Sequence, residues 1–273
     1  MKYEKIILMI VKLWTRQARP SIFAPVSGVE GHACHDRFLV FTFTSIILAV
    51  SFMIFSLTTA AAEHENLIEN GSFEKGEKTP DNWEAANGLT SFYVKEEGRG
   101  RIVKMDSRVD RMQALAWMKK FKTDPSATPP EPVYSKDQYA CIGGNEGVWL
   151  DSGLINVKPG QNYKLTVDFK GPSSPIVWIK GFLFHPVRKD YADAYQTRLV
   201  PDNPDKENWK TCSIGFNPTA RSPKVEKMKV RIYAYWPAGI YYFDNVKVEE
   251  ITPEEMAELL KKRAEVPEKE KKK

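Results

Sequence analysis

Between Asn66 and Ile251 apolar residues recur at every second position. Leu165, Val167 and Phe169 alternate with Lys164, Thr166, Asp168 and Lys170, while Val230, Ile232 and Ala234 alternate with Lys229, Arg231, Tyr233 and Tyr235. A period of two sends successive side chains to opposite sides of the backbone, so each segment predicts a strand with one face in a core. The run IVWIKGFLF, residues 176–184, is apolar at every position except Lys180 and Gly181. It predicts a central strand covered on both faces. Turn-forming clusters punctuate the pattern at Pro80-Asp81-Asn82, Gly143-Gly144-Asn145, Lys158-Pro159-Gly160, Gly171-Pro172, Pro201-Asp202-Asn203-Pro204 and Pro237-Ala238-Gly239.

Short strands separated by such turns, with no strong amphipathic helix between them, predict an all-β fold: an antiparallel β-sandwich of the jelly-roll type. Two stretches are expected to be irregular, the proline-rich surface loop DPSATPPEP at 124–132 and a second loop, HPVRKDYAD, at 185–193. Residues 108–121 fit either a helix or a bulged strand. After the last strand, Thr252-Pro253-Glu254-Glu255 combines a capping residue, a first-turn proline and an acid three residues beyond the cap. A short helix with an apolar stripe of Met256, Leu259 and Leu260 is expected there, ending in a charged disordered tail, so that residues 253–273 stand apart from the sandwich.

The N-terminal end has a different pattern. The run FLVFTFTSIILAVSFMIFSL, residues 38–57, carries no charge and comes after a segment, 1–37, rich in Lys and Arg. It reads as a membrane-spanning helix or as the apolar part of a long signal peptide. Small residues at Ala60 and Ala62 suit signal cleavage before Glu63, and the alternative is an uncleaved anchor. Either way residues 38–62 direct the C-terminal part of the chain to export, leaving 1–37 on the cytoplasmic side and one domain, 63–252, outside. Any membrane contact is expected only through this apolar segment.

Charge then narrows the partners. The first 62 residues hold six of the 40 Lys/Arg and three of the 35 Asp/Glu, leaving 34 against 32, so the overall +5 shrinks to about +2. Interspersed, nearly balanced charge excludes the basic stripe expected of a nucleic-acid binder. Cys34 precedes the apolar run, so Cys141 and Cys212 are the exported pair, either bonded to each other or both thiols.

Four ordered motifs resemble the carbohydrate-binding modules of families 4, 9 and 22, secreted galactose-binding-like β-sandwiches. The first is Asn66-Leu67-Ile68-Glu69-Asn70-Gly71-Ser72-Phe73-Glu74 with Pro80 and Trp83 after it; the second is Gly160-Gln161-Asn162-Tyr163-Lys164-Leu165. Asn208-Trp209-Lys210 and Tyr242-Phe243-Asp244-Asn245-Val246 complete the set. The resemblance spans residues 66–251 and implies a polysaccharide or oligosaccharide as partner. It also implies a structural calcium held by Glu74 and Asp244, although two carboxylates fall short of the six to eight oxygens calcium takes. Otherwise Glu74 is solvated and Asp244 caps a turn. In residue terms, Asn70-Gly71 permits positive backbone angles, Phe73 enters the core, and Pro80 with Trp83 guides the chain onto the next strand.

Sugar rings stack their C–H faces on aromatic rings and need polar partners for their hydroxyls. Alternation nominates Trp178, Lys180 and Phe182 from one strand, Arg231, Tyr233 and Tyr235 from another, Asp168 from a third, and Trp236 as a rim aromatic. Trp83, Trp149 and Trp209 are expected in the core. No pair of acids, metal-ligand histidine spacing, nucleophile elbow or phosphate loop argues for catalysis. The expected function is non-catalytic glycan binding by an exported module. An extracytoplasmic protein-interaction role, or a small glycan hydrolase or lyase, are the alternatives.

Overall fold

Alternating residues become strands throughout the computed structural model, which describes residues 64–201 and 204–265. Ten strands form: β1 (Ser91–Glu96), β2 (Gly100–Asp106), β3 (Val148–Asp151), β4 (Ile155–Asn156), β5 (Asn162–Lys170), β6 (Ile176–His185), β7 (Asp190–Leu199), β8 (Lys210–Phe216), β9 (Lys227–Ala234) and β10 (Ile240–Ile251). They build two sheets, ordered β1-β2-β10-β5-β8 and β3-β9-β6-β7, with β4 beside β9. Every pairing is antiparallel. The fold is therefore a two-sheet antiparallel β-sandwich. Tyr163, Leu165, Val167 and Phe169 of β5 and Val230, Ile232 and Ala234 of β9 are fully buried between the sheets, as their spacing predicts.

The opening motif is pinned along β10. Val246 N–H donates to the Gly71 carbonyl (2.8 Å), Leu67 N–H to the Val248 carbonyl (2.8 Å), and the Asn66 side chain bonds both residues of β10. A bulge in β10 between Asp244 and Lys247 breaks its register against β5 and accompanies the left-handed Asn245 (φ 47°). In the Asn70-Gly71 turn it is Asn70 that has positive φ (56°), whereas Gly71 is needed because a β-carbon there would run into the Val246 carbonyl oxygen. Phe73 is fully buried and its ring packs tilted against Trp83, centroids 5.0 Å apart.

One segment settles a question the sequence left open, and another forms the helix expected of it. Residues 111–123 are helical (α1, Arg111–Thr123): the Asp110 carboxylate caps it by accepting from Gln113 N–H (3.0 Å), and Trp117 anchors it, buried, with its indole donating to the Asn87 carbonyl (2.7 Å). After β10, α2 (Pro253–Glu265) starts at a capping box, Glu255 N–H donating to Thr252 Oγ1 (3.2 Å) and Thr252 N–H to Glu255 Oε2 (2.8 Å). Met256 and Leu259 rest on Gly215 of β8, while Leu260 is exposed.

Two expectations need correction. The loop expected at 185–193 is a tight hairpin joining β6 to β7, with the turn confined to the residues between His185 and Asp190. β6 does lie between two strands, but only its inner residues, Val177, Ile179 and Gly181, are buried; Trp178, Lys180 and Phe182 face outward, half-exposed. Its apolar composition reflects aromatics displayed on a surface, which hydropathy cannot tell from residues covered by a second layer. The proline-rich 124–132 stretch is irregular as expected, tied to α1 through Gln113, whose Nε2 donates to the Glu131 carbonyl (2.8 Å). Cys141 is a buried thiol bonded to the Ser135 and Asp137 carbonyls (3.6 and 3.3 Å), with no disulfide to Cys212, and burial pushes its pKa up. The apolar run at 38–57 and the tail from 266 lie outside the described residues. No helix among the described residues is long and apolar enough to cross a membrane.

Candidate functional site

Period two in neighbouring strands assembles the candidate site, because the antiparallel register brings outward residues of β3, β9, β6 and β7 into rows. Arg231 stands opposite Trp178, which stands opposite Arg198; Lys229 faces Lys180, which faces Gln196; Lys227 faces Phe182, which faces Asp193. Beyond them Trp149 pairs with Tyr233 and Asp151 with Arg231. The outward residues of β9 and the residue after it, from Lys227 to Tyr235, span about 26 Å, at ~3.3 Å per residue.

One end of this face is aromatic. Tyr233 and Tyr235 stack at 5.6 Å with planes 12° apart, and Trp149 tilts against Tyr233 at 6.4 Å. The Tyr233 hydroxyl donates to the Glu146 carbonyl (2.7 Å), and burial pushes its pKa up. Gly147, with φ of 74°, lets the backbone press on the Tyr233 ring, which a side chain there would strike. Tyr233 is thus largely packing, and Tyr235 carries the more available ring. At the rim, Tyr139 stacks on Trp236 at 5.2 Å; both are exposed.

A charge cluster organises the middle. The Arg231 guanidinium donates from Nε to Asp151 Oδ1 (2.5 Å) and from Nη2 to Oδ2 (2.8 Å), while Lys229 Nζ pairs with Oδ2. Asp151 is only 2% exposed. Burial alone would raise its pKa, but the hydrogen bonds from Arg231 and Lys229 outweigh that and hold the carboxyl below the usual aspartate range. Glu84, whose Oε2 accepts from Asp151 N–H (3.2 Å), moves the other way: burial, then the neighbouring Asp151 charge, push it up. Arg231 also lies 5.0 Å over the Trp149 ring. With its Nε and Nη2 held by Asp151, Arg231 helps to fix the face.

At the far end a cleft of 490 Å³ opens between Trp83, Glu84, Asp151, Phe182, Tyr191 and Lys229. Lys229 lies 5.6 Å over the Phe182 ring and Lys227 5.8 Å over Tyr191. Trp178 carries Arg198 at 5.5 Å, and Lys180 has no hydrogen-bond or ion-pair partner among the described residues.

Of the residues the sequence nominates, Trp178, Lys180, Phe182, Arg231, Tyr233 and Tyr235 therefore share one face. Asp168 does not join them. It lies in β5, in the other sheet, where Arg99 Nη2 and Thr211 Oγ1 (2.5 Å) donate to it. Alternation fixes which side of its own strand a residue occupies, not which sheet the strand enters. Trp149 and Trp209 are corrections as well, since both are half-exposed on outer faces and only Trp83 is core. The residues of this candidate face that the sequence does not nominate are Trp149, Asp151, Lys229, Arg198 and Tyr191. The alternation in Val148-Trp149-Leu150-Asp151 carried the signal for two of them.

A calcium shared by Glu74 and Asp244 does not fit these side chains. Asp244, nearly buried, receives Arg99 Nε (2.9 Å) and Asn245 N–H (2.7 Å), so a guanidinium already supplies the positive charge. Glu74 is turned to Arg101 N–H (3.1 Å). No group of three or more metal-ligating side chains occurs among the described residues.

Several solved carbohydrate-binding modules are among the structures similar to this chain. A CBM4 structure aligns over 67% of this chain and 99% of its own length at 14% identity, with a TM-score of 0.37. A family 16 carbohydrate-binding module covers 67% and 99% at 16% identity and TM-score 0.37. The CBM22-1 xylan-binding domain from Paenibacillus barcinonensis covers 71% and 99% at 11% identity and TM-score 0.36. No family model and no curated protein matches the chain.

Proposed function

We propose that the outer face of the β3-β9-β6-β7 sheet binds a polysaccharide chain without cleaving it. The observation that carries this is the half-exposed Trp178 at the centre of the face, flanked by rows of hydrogen-bond donors: an aromatic platform with polar neighbours is what a pyranose requires. The absence of turnover rests on the state of the carboxylates. Asp151 is held by two cations and Glu84 bonds the Asp151 backbone, so the two acids lean on one another instead of flanking a gap wide enough for a sugar. Export is part of the same proposal and rests on the uncharged run at 38–57. N-terminal sequencing of the mature protein tests it: a start at Glu63 means cleavage, a start at Met1 an anchor.

Electrophoresis of the purified full chain through gels containing soluble polysaccharides tests the binding. Retardation by at least one glycan is expected, with no release of reducing sugar, and Tyr235→Ala weakens retardation while leaving the melting temperature unchanged. Equal loss of both would make Tyr235 packing. Co-purification of one protein partner with no glycan retained would favour the assembly role instead.

A further inference from the structure

Cations on the two outer faces have different partners. On the β1-β2-β10-β5-β8 sheet and its margin, Arg99, Lys164, Lys170 and Lys247 each have a carboxylate within 4 Å: Asp168 and Asp244, Glu249, Glu96, and Glu249 again; Lys104, opposite Tyr242, has none among the described residues and lies 5.3 Å over the Phe92 ring. The opposite face carries Arg198, Lys180, Lys227, Lys229 and Arg231 in three adjacent strands. Asp151 neutralises Lys229 and Arg231 only. Lys180, Lys227 and Arg198 have no carboxylate partner among the described residues; Lys227 bonds the Asn156 amide oxygen (3.1 Å) and Arg198 lies over Trp178.

The arrangement is locally unfavourable. Lys180 stands directly opposite Lys229, and like charges at a cross-strand pair destabilise a sheet. Lys180 is half-exposed on this outer face and makes no hydrogen bond or ion pair among the described residues. The cost is recovered if a ligand brings negative charge to that spot.

We infer that this face takes an acidic polysaccharide, one whose pyranose rings carry carboxylates. Trp178 and Phe182, either side of Lys180 along β6, would receive ring faces while Lys180, Lys227 and Arg198 meet the uronate groups. Charge density decides between anions. Three unmatched cations beside the exposed Asp193 suit about one negative charge per sugar, whereas a heavily sulfated chain or a nucleic acid brings more negative charge than they can match and places it near that carboxylate. This inference rests on the glycan-binding reading above and narrows its ligand.

Affinity electrophoresis of the full-length protein separates the outcomes, using gels cast with polygalacturonate, alginate, neutral xylan or heparin, and a labelled single-stranded oligonucleotide as competitor. The expected result is strongest retardation by the uronate polymers. It should fall as salt rises from about 0.1 M, where the Debye length is about 10 Å, to about 1 M, where it is about 3 Å. Lys180→Ala should weaken retardation about two- to fivefold, the worth of one exposed ion pair, with the melting temperature unchanged or raised, and Lys180→Arg should restore it. Retardation by neutral xylan alone, stronger binding to heparin or oligonucleotide, or indifference to Lys180→Ala overturns the inference while leaving or redirecting the broader one. No retardation by any glycan removes both.

Discussion

Replacing Asp151 by alanine should be the most damaging single change on the binding face. The carboxylate is nearly inaccessible, while its partners Lys229 and Arg231 keep 23% and 21% of their side-chain surface. Removing one member of a fully buried ion pair costs about 3–5 kcal/mol, because the charge left behind is unpaired. Here the surviving cations can turn partly to water, which discounts the figure to about 2–3 kcal/mol. For a domain of this size each kcal/mol lowers the melting temperature by about 2–4 °C, so a fall of about 5–10 °C is expected by circular dichroism. Because the folded-state pKa of Asp151 is depressed, its contribution is present above the ordinary aspartate value of 3.8 and disappears as pH falls through the lower folded value. Wild type and Asp151→Ala should therefore begin to approach each other as pH falls below 3.8 and converge only below the depressed folded value. Adding Arg231→Met to Asp151→Ala should recover part of the loss, since one stranded cation is removed with its partner. A melting temperature within about 2 °C of wild type at pH 7 would refute the view that Asp151 holds this face together.

Glu84 should behave with the opposite sign. Its folded pKa is raised, so it disfavours the fold as pH rises through that value; Glu84→Gln, which keeps an acceptor for Asp151 N–H, should gain stability at pH 7 and match wild type well below pH 4.5, read as melting temperature against pH. Arg99→Met should cost about 2–3 kcal/mol by leaving Asp244 buried beside Asp168, and added calcium should not restore it, whereas EDTA should leave the wild-type melting temperature unchanged; a drop with EDTA would reinstate a metal at Glu74 and Asp244.

What the sequence made legible was the side of each strand. Alternation placed Lys180, Arg231 and Tyr235 outward and Leu165, Val230 and Ile232 inward, because a half-buried strand leaves no other solution. Which strands become neighbours was not legible, since β5 pairs with β10 across some eighty residues and β3 with β9 across a similar span, and periodicity carries no long-range pairing information. Hence Asp168 was grouped with the wrong sheet. Partners were hidden for the same reason: nothing local shows that Asp151 neutralises Lys229 and Arg231, or that Arg99 fills the space between Asp168 and Asp244. Trp149 and Trp209 were misplaced because a tryptophan half-covered by an arginine has the same local sequence context as one in the core.

Trp178 and Trp209, half-exposed on opposite faces, test why only one face should bind. Trp209 lies 4.1 Å beneath the Arg99 guanidinium and 5.2 Å from Lys170, and its indole donates to Glu96 Oε2 (3.1 Å). Around it Arg99, Asp168, Asn245 and Thr211 bond one another. A sugar hydroxyl arriving there would have to displace a bond already made, and such exchanges yield little net free energy. Trp178 has only Arg198 over it, and the neighbouring Lys180 has nothing to exchange. Trp209→Ala, losing two cation–π contacts and a hydrogen bond to a carboxylate, should cost about 2–3 kcal/mol of stability and leave glycan retention intact. Trp178→Ala should do the reverse. If instead Trp209→Ala abolished retention while the protein still melted at the wild-type temperature, the binding face would be the one whose polar groups look satisfied, and the assignment made from unmatched donors would be wrong.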